Sequence, residues 1–196
     1  VWLAMGGVPQ GRDVVQECGA GLVTVRRDAA GLAFAAPPLR RAGPVDVADL
    51  AVVTRGLGLS PDRVVAANWV DNGPGWVGLM LGDREELLAL RPDSQALAGW
   101  DVGVVAPWNP ECDGDGASFE VRAFIGEAAV FEDPVTGSLN AGLAKWLIGT
   151  GLAPQSYIAS QGTVLGRMGR VRVARDEAGI WIGGATVTRI SGQVAL

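Results

Sequence analysis

Short apolar runs of strand type, bounded by turn residues, recur along this chain and arrive in pairs separated by runs of helical period. That ordering constrains the fold more than any other feature. Runs at 14–26, broken by Gly19 and Gly21, and at 32–36 flank the turn Arg27-Asp28-Ala29-Ala30-Gly31 and predict a hairpin. Runs at 64–70 and 76–81 enclose Asp71-Asn72-Gly73-Pro74-Gly75, a turn sequence. Further strands are expected at 102–107, 118–123, 156–160, 170–174, 180–182 and 185–190. Val47, Leu50, Ala51, Thr54 and Leu57 repeat at helical spacing until Gly58 and Pro61 stop them. Asp83 and Glu86 have the form of a capping box, opening a helix through about residue 97. A third helix is expected at 138–148, closed by Gly149-Thr150-Gly151. Paired strands with a helix between pairs give an α+β fold whose mixed sheet wraps a helix. Glycine fills 29 of 196 positions, about twice the usual share, which suits a tightly bending sheet.

The residue inventory narrows the chemistry. Histidine is absent, which removes Ser-His-Asp triads, Cys-His pairs and most zinc sites. A net charge of -5 leaves no basic footprint for nucleic acid. No apolar run approaches the ~18 residues of a membrane span, and no charged leader precedes an apolar stretch. Cys18 and Cys112 do not make a disulfide framework, so a cytoplasmic location is expected. Glu111, Asp113 and Asp115 alternate with Gly114 and Gly116 but lack the rest of a calcium-loop pattern, and read as a solvated loop. The tryptophans are scattered, as core residues are; Trp76 and Trp108, beside turns, are candidates for lining a cleft.

The opening residues, Val1-Trp2-Leu3-Ala4-Met5 before Gly6-Gly7, read as the last turn of a helix and its glycine stop. Nothing ahead of them caps that helix, which leaves two readings: a frayed terminus, or a chain that starts partway through a fold. Residues 40–44 form a polar, proline-bearing connector and mark the expected lobe boundary.

One segment carries chemistry: Glu132-Asp133-Pro134-Val135-Thr136-Gly137-Ser138, directly before the apolar helix. At such a start the amides of Gly137, Ser138 and Leu139 lack intrahelical partners and favour a carboxylate or phosphate. The competing reading is that Thr136 or Ser138 simply caps the helix, with Glu132 and Asp133 favoured by the same dipole.

This segment resembles the signature of the PhzF family of phenazine-biosynthesis-like isomerases. Gln161-Gly162 followed by Gly166-Arg167 and Gly169, the turn Asp71-Asn72-Gly73-Pro74 and the closing Trp181-Ile182-Gly183-Gly184 are similar to further family blocks, in matching order and spacing. The resemblance implies the diaminopimelate-epimerase-like fold: two lobes, each a curved sheet around a central helix, with the active site between. It implies one complete lobe at 41–196 and a remnant of the other at 1–40, the family's first third being absent together with its catalytic glutamate and Cys-Gly-His-type segment. It implies Asp133 as a polar, proton-handling cleft residue, and Gly137 and Ser138 as holders of a substrate carboxylate. The implied activity is cofactor-independent proton transfer on a small carboxylic acid, incomplete without a partner chain or a second copy to supply the missing lobe. The alternative is a non-catalytic carboxylate-binding or scaffolding remnant. Cys18 and Cys112 match no catalytic helix-start position. Arg167 and Arg170 either attract an anionic substrate or solvate a sheet edge.

Overall fold

The structure is a computed structural model that describes residues 2–29, 31–114, 116–127, 131–190 and 192. Its first segment holds strands β1 (Val14–Cys18), β2 (Gly21–Asp28) and β3 (Gly31–Ala35). Then come β4 (Arg41–Pro44), α1 (Val47–Leu57), β5 (Val64–Asp71), β6 (Val77–Leu81), α2 (Arg84–Ala89) and β7 (Asp101–Pro107). The remainder is α3 (Pro110–Asp113), β8 (Phe119–Ile125), β9 (Glu132–Asp133), α4 (Gly137–Gly149), β10 (Ser156–Gln161), β11 (Gly169–Asp176) and β12 (Gly179–Gly184). All strands join one mixed sheet in the order β1-β2-β3-β12-β11-β10-β8-β7-β6-β5-β4, with β9 against β8. The pairs β6–β7 and β8–β10 are parallel.

The middle of this sheet is apolar on both faces because a helical layer covers each. On one side, Val102, Val104 and Ala106 of β7 join Val53 and Leu57 of α1 and Leu87 of α2. On the other, Val105, Val121, Val171 and Ile182 close around Leu139, Leu143, Trp146 and Leu147 of α4. The sheet thus wraps α4, as its sequence pattern predicts. Glycine allows the close approach. A Cβ on Gly142 would strike the Val70 carbonyl oxygen, and one on Gly103 would strike the Leu139 side chain.

Local chemistry sets the element ends. Asp46 Oδ1 accepts from the Asp49 amide at 2.8 Å and caps α1, and Asp83 Oδ1 does the same for the Glu86 amide at 2.9 Å in α2. At the chain start, the Gly7 amide donates to the Trp2 carbonyl at 2.9 Å and the Gly6 amide to Leu3 at 3.2 Å, with Gly6 at φ 89. Those two bonds are the glycine stop read from the sequence. The expected helix through residue 97 ends instead at Ala89, because Pro92 disfavours helical backbone at the residue before it. The run at 14–26 is two strands, turned at Gly19-Ala20 with Gly21 at φ 94. Residues 41–44, read as connector, pair with β5. Residues 185–190 form no strand, and Ile190 is 92 % exposed. Asp115 lies outside the described residues, and among those described no cluster of acidic or cysteine side chains could hold a metal. Nor is any described helix long and apolar enough to cross a membrane.

Residues 1–40 and 41–196 share the one sheet, since β3 pairs with β12. A polar clasp reinforces that seam: Arg26 donates to Asp176 Oδ2 at 2.6 Å, and Trp181 Nε1 donates to its Oδ1 at 2.9 Å. These bonds, Arg26 first, hold the Asp176 carboxyl below its ordinary value of 3.8.

Two predictions follow from this packing. Gly142→Ala should cost about 1–3 kcal/mol, lowering Tm by roughly 2–4 °C per kcal/mol. Gly149→Ala, where a Cβ meets open space, should instead stabilise by about 0.4–1 kcal/mol; differential scanning calorimetry of both variants checks the pair. A lowered carboxyl stabilises above its ordinary value, and that contribution is lost as pH falls through the folded one. Asp176→Asn should therefore flatten the acid limb of stability below about pH 4 and leave the slope above pH 5 unchanged, as urea unfolding across pH would show.

Candidate functional site

The approach to α4 is held by two buried polar groups. Arg122, 3 % exposed, donates to both carboxylate oxygens of Glu132 at 2.9 and 2.7 Å, and to the carbonyls of Leu87 and Leu90. Gln161, fully buried at the end of β10, uses its whole side-chain amide. Its Oε1 accepts from the Thr136 amide at 3.1 Å and from Asn140 Nδ2 at 2.9 Å. Its Nε2 donates to the Asp133 carbonyl and to Thr136 Oγ1, both at 2.9 Å.

This arrangement decides what the helix start can do. Thr136 is the N-cap residue, yet its hydroxyl donates to Asp133 Oδ2 at 2.7 Å and caps nothing. Among the described residues the amides of Gly137, Ser138 and Leu139 therefore have no hydrogen-bond partner. Ser138 Oγ accepts from Trp76 Nε1 at 3.0 Å, which leaves its own O–H free to donate. The Ser138 carbonyl accepts from Asn72 Nδ2 at 2.8 Å. That asparagine sits on a turn braced by Asp71 Oδ1, which accepts from the amides of Gly73 and Gly75 at 2.6 and 2.8 Å.

Gly137 and Ser138 open onto a cavity of about 1010 Å³. Its walls are apolar side chains of β2, β3 and β12, among them Val25, Phe34 and Ile182, together with the turn at Asn72-Gly73-Pro74. A Cβ on Gly137 would stand 3.4 Å from the Phe34 ring, so glycine keeps this entrance wide. The charged lining residues are Arg40 and Arg170; no described carboxylate lines the cavity. Net positive walls, unpaired amides and a helix N-terminus all favour an anion.

Of the residues singled out from the sequence, Gly137 and Ser138 come together on the cavity wall. Asp133 sits behind that wall, half-buried, with its carboxylate on Thr136. Arg170 lines the cavity, but its guanidinium donates to Ser160 Oγ at 3.0 Å and to the Gly169 carbonyl at 2.9 Å. Trp76, 2 % exposed, orients Ser138, whereas Trp108 donates to the buried Glu120 at 3.1 Å. Cys18 is exposed and on the cavity lining; Cys112 is exposed on α3. Sequence reasoning missed the positioning roles of Asn72 and Asn140 and the place of Arg40. The one available signal was a buried-type position occupied by an amide, since such side chains stay inside only when hydrogen-bonded.

Comparison with known proteins agrees with this architecture. The family model described as phenazine biosynthesis-like protein matches residues 1–192. Antisense-enhancing sequence 1 of Schizosaccharomyces pombe is 28 % identical over 206 residues, covering 94 % of this chain and 68 % of that protein. A PhzF-family phenazine biosynthesis protein of Enterococcus faecalis superposes with TM-score 0.67 at 23 % identity, over 94 % of this chain and 65 % of its own. A structure described as a predicted epimerase from Pseudomonas aeruginosa gives TM-score 0.63 at 20 % identity, over 92 % and 66 %. The chain thus spans about two-thirds of the length of these proteins. The structural likenesses establish the diaminopimelate-epimerase-like fold. Matched along nearly its whole length, the chain belongs to the phenazine biosynthesis-like, or PhzF, family.

Proposed function

We propose that this chain supplies the carboxylate-binding wall of a cofactor-independent isomerase or epimerase acting on a small carboxylic acid. The observation that carries the reading is the uncapped start of α4: Thr136 is engaged by Asp133 and Gln161, which leaves three amides without a partner, and Gly137 and Ser138 stand on a cavity with no carboxylate in its described lining. Removing a proton from carbon beside a carboxylate moves negative charge onto the carboxylate oxygens. Fixed donors at those oxygens lower the barrier because they need no reorganisation. Family membership and a neighbour described as a predicted epimerase support the same reaction class.

Proton transfer also needs an acid–base group within about 2.6–3.2 Å of the proton or a bridging water. Asp133, behind this wall with its carboxylate on Thr136, is the group we assign on this side. A second acid–base group, from outside the described cavity lining, completes the transfer. A second reading, non-catalytic carboxylate binding or scaffolding, is favoured by one fact: no Asp or Glu stands on the described cavity lining.

The two readings separate by experiment. Solvent deuterium should enter a candidate acid only when this chain is complemented by a first-lobe polypeptide bearing a glutamate, and Asp133→Asn should then reduce incorporation strongly. Turnover by this chain alone, or full activity of the complemented variant, would refute those assignments. The binding wall is tested separately. Ser138→Ala and Gly137→Pro, which keeps a tolerated N1 residue but deletes its amide, should each weaken carboxylate binding about tenfold or more, measured by NMR titration. Gln161→Leu should cost about 2 kcal/mol or more in stability and weaken the same binding.

A further inference from the structure

A second anion-recognising group stands on the same cavity. The Arg40 amide donates to the Asp71 carbonyl at 2.7 Å, which fixes the residue beside the 71–75 turn. Its Nη2 donates to the Gly19 carbonyl at 3.0 Å. Its Nη1 and Cζ lie 4.0 Å from the place a Gly73 Cβ would take. Gly19, Gly73 and Arg40 all line the cavity, so the guanidinium bridges two of its walls. A guanidinium carries five N–H donors, and that carbonyl is the only hydrogen-bond partner of the Arg40 side chain among the described residues. It makes no ion pair among the described residues. The nearby Asp71 carboxylate is occupied by the amides of Gly73 and Gly75. Arg170, the other lining cation, is turned onto Ser160 and Gly169. Both bonds of Arg170 come from its Nη1, so each lining cation keeps donors, and Arg40, with one of its five engaged, keeps the most.

The two anion-binding points are mechanically linked. Asn72 holds the Ser138 carbonyl at 2.8 Å, and Gly73, the next residue, lies ~3.8 Å along the chain and faces Arg40. Most of the remaining lining of the cavity they share is apolar, Val25 and Phe34 included. We propose that Arg40 binds a second anionic group of the ligand whose first carboxylate sits at the start of α4, so that the ligand class is a dicarboxylate with an apolar spacer. The proposal rests on the helix-start site proposed above.

The test is an amide NMR titration of the whole chain with two matched series. Butyrate, pentanoate and hexanoate are the monoacids; succinate, glutarate and adipate are the diacids. At least one diacid should bind about five- to tenfold tighter than the monoacid of equal length, shifting Gly19 and Gly73 as well as Gly137 and Ser138. Arg40→Gln should bring that ratio close to one. Arg40→Lys, which keeps the charge and loses the fork, should retain part of it. Arg55→Gln, on the exposed side of α1, controls for net charge and should leave the ratio as it is. Equal affinities for both series in the native chain, or an intact preference in Arg40→Gln, would overturn the dicarboxylate assignment while leaving the helix-start site standing. Shifts that avoid Gly137 and Ser138 in both series would overturn the helix-start reading and this proposal together.

Discussion

The side-chain amide of Gln161 is the point on which the site depends. It lies with no solvent exposure at the end of β10, where an unpaired amide would be costly. All four of its hydrogen bonds go to the segment 133–140. One side chain thereby joins a strand to the turn that starts α4, and leaves that turn a single arrangement. The neighbouring residue Ser160 faces the other way, accepting from Arg170 and lying 3.4 Å from Thr163 Oγ1. Successive residues of one strand thus brace opposite faces of the sheet, as the period of two requires.

A helix enclosed by a sheet imposes a second constraint. α4 is buried around most of its circumference, including Asn140, which survives inside because Thr136 and Gln161 accept its amide hydrogens. Enclosure needs short distances between helix and strands, and these fall where Gly142 meets Val70 and Gly103 meets Leu139. Glycines that weaken a helix or strand in isolation are here the condition for packing α4 against β5 and β7.

The parts of the fold that were legible from sequence are those governed by nearby residues. The α1 run ending at Gly58, the Asp83 cap and the apolar face of α4 each depend on residues within a few positions, and each is found. Where expectation and structure part, a competing local rule decides: Pro92 shortens α2, and Gly21 folds one long run into a hairpin. Long-range hydrogen bonds leave no periodic trace. Gln161 meets Thr136 across 25 positions and Asn72 meets Ser138 across 66, so the braces of the site were invisible while its Gly137-Ser138 floor was not. Arg40 reads as part of a connector because β4 is short and its pairing with β5 lies more than 20 residues downstream.

The start of α4 carries no side-chain cap from Thr136. Threonine at the N-cap of α4 could contribute about 0.5–2 kcal/mol by capping. Asp46 and Asp83 make such a bond in α1 and α2. At Thr136 the hydroxyl instead donates to Asp133 and accepts from Gln161, and Ser138 is turned by Trp76 so that its proton points away from the indole. Three amides are left open there; Leu139 is buried, whereas Gly137 and Ser138 are half-buried on the cavity wall. A fold that caps α1 and α2 and forgoes the side-chain cap at α4 gives up local stability there, and departures from local consistency concentrate at functional or strained sites. On the function proposed above, a bound carboxylate would take the place of that cap, and its binding would stabilise the fold by the interactions that would hold charge in a transition state.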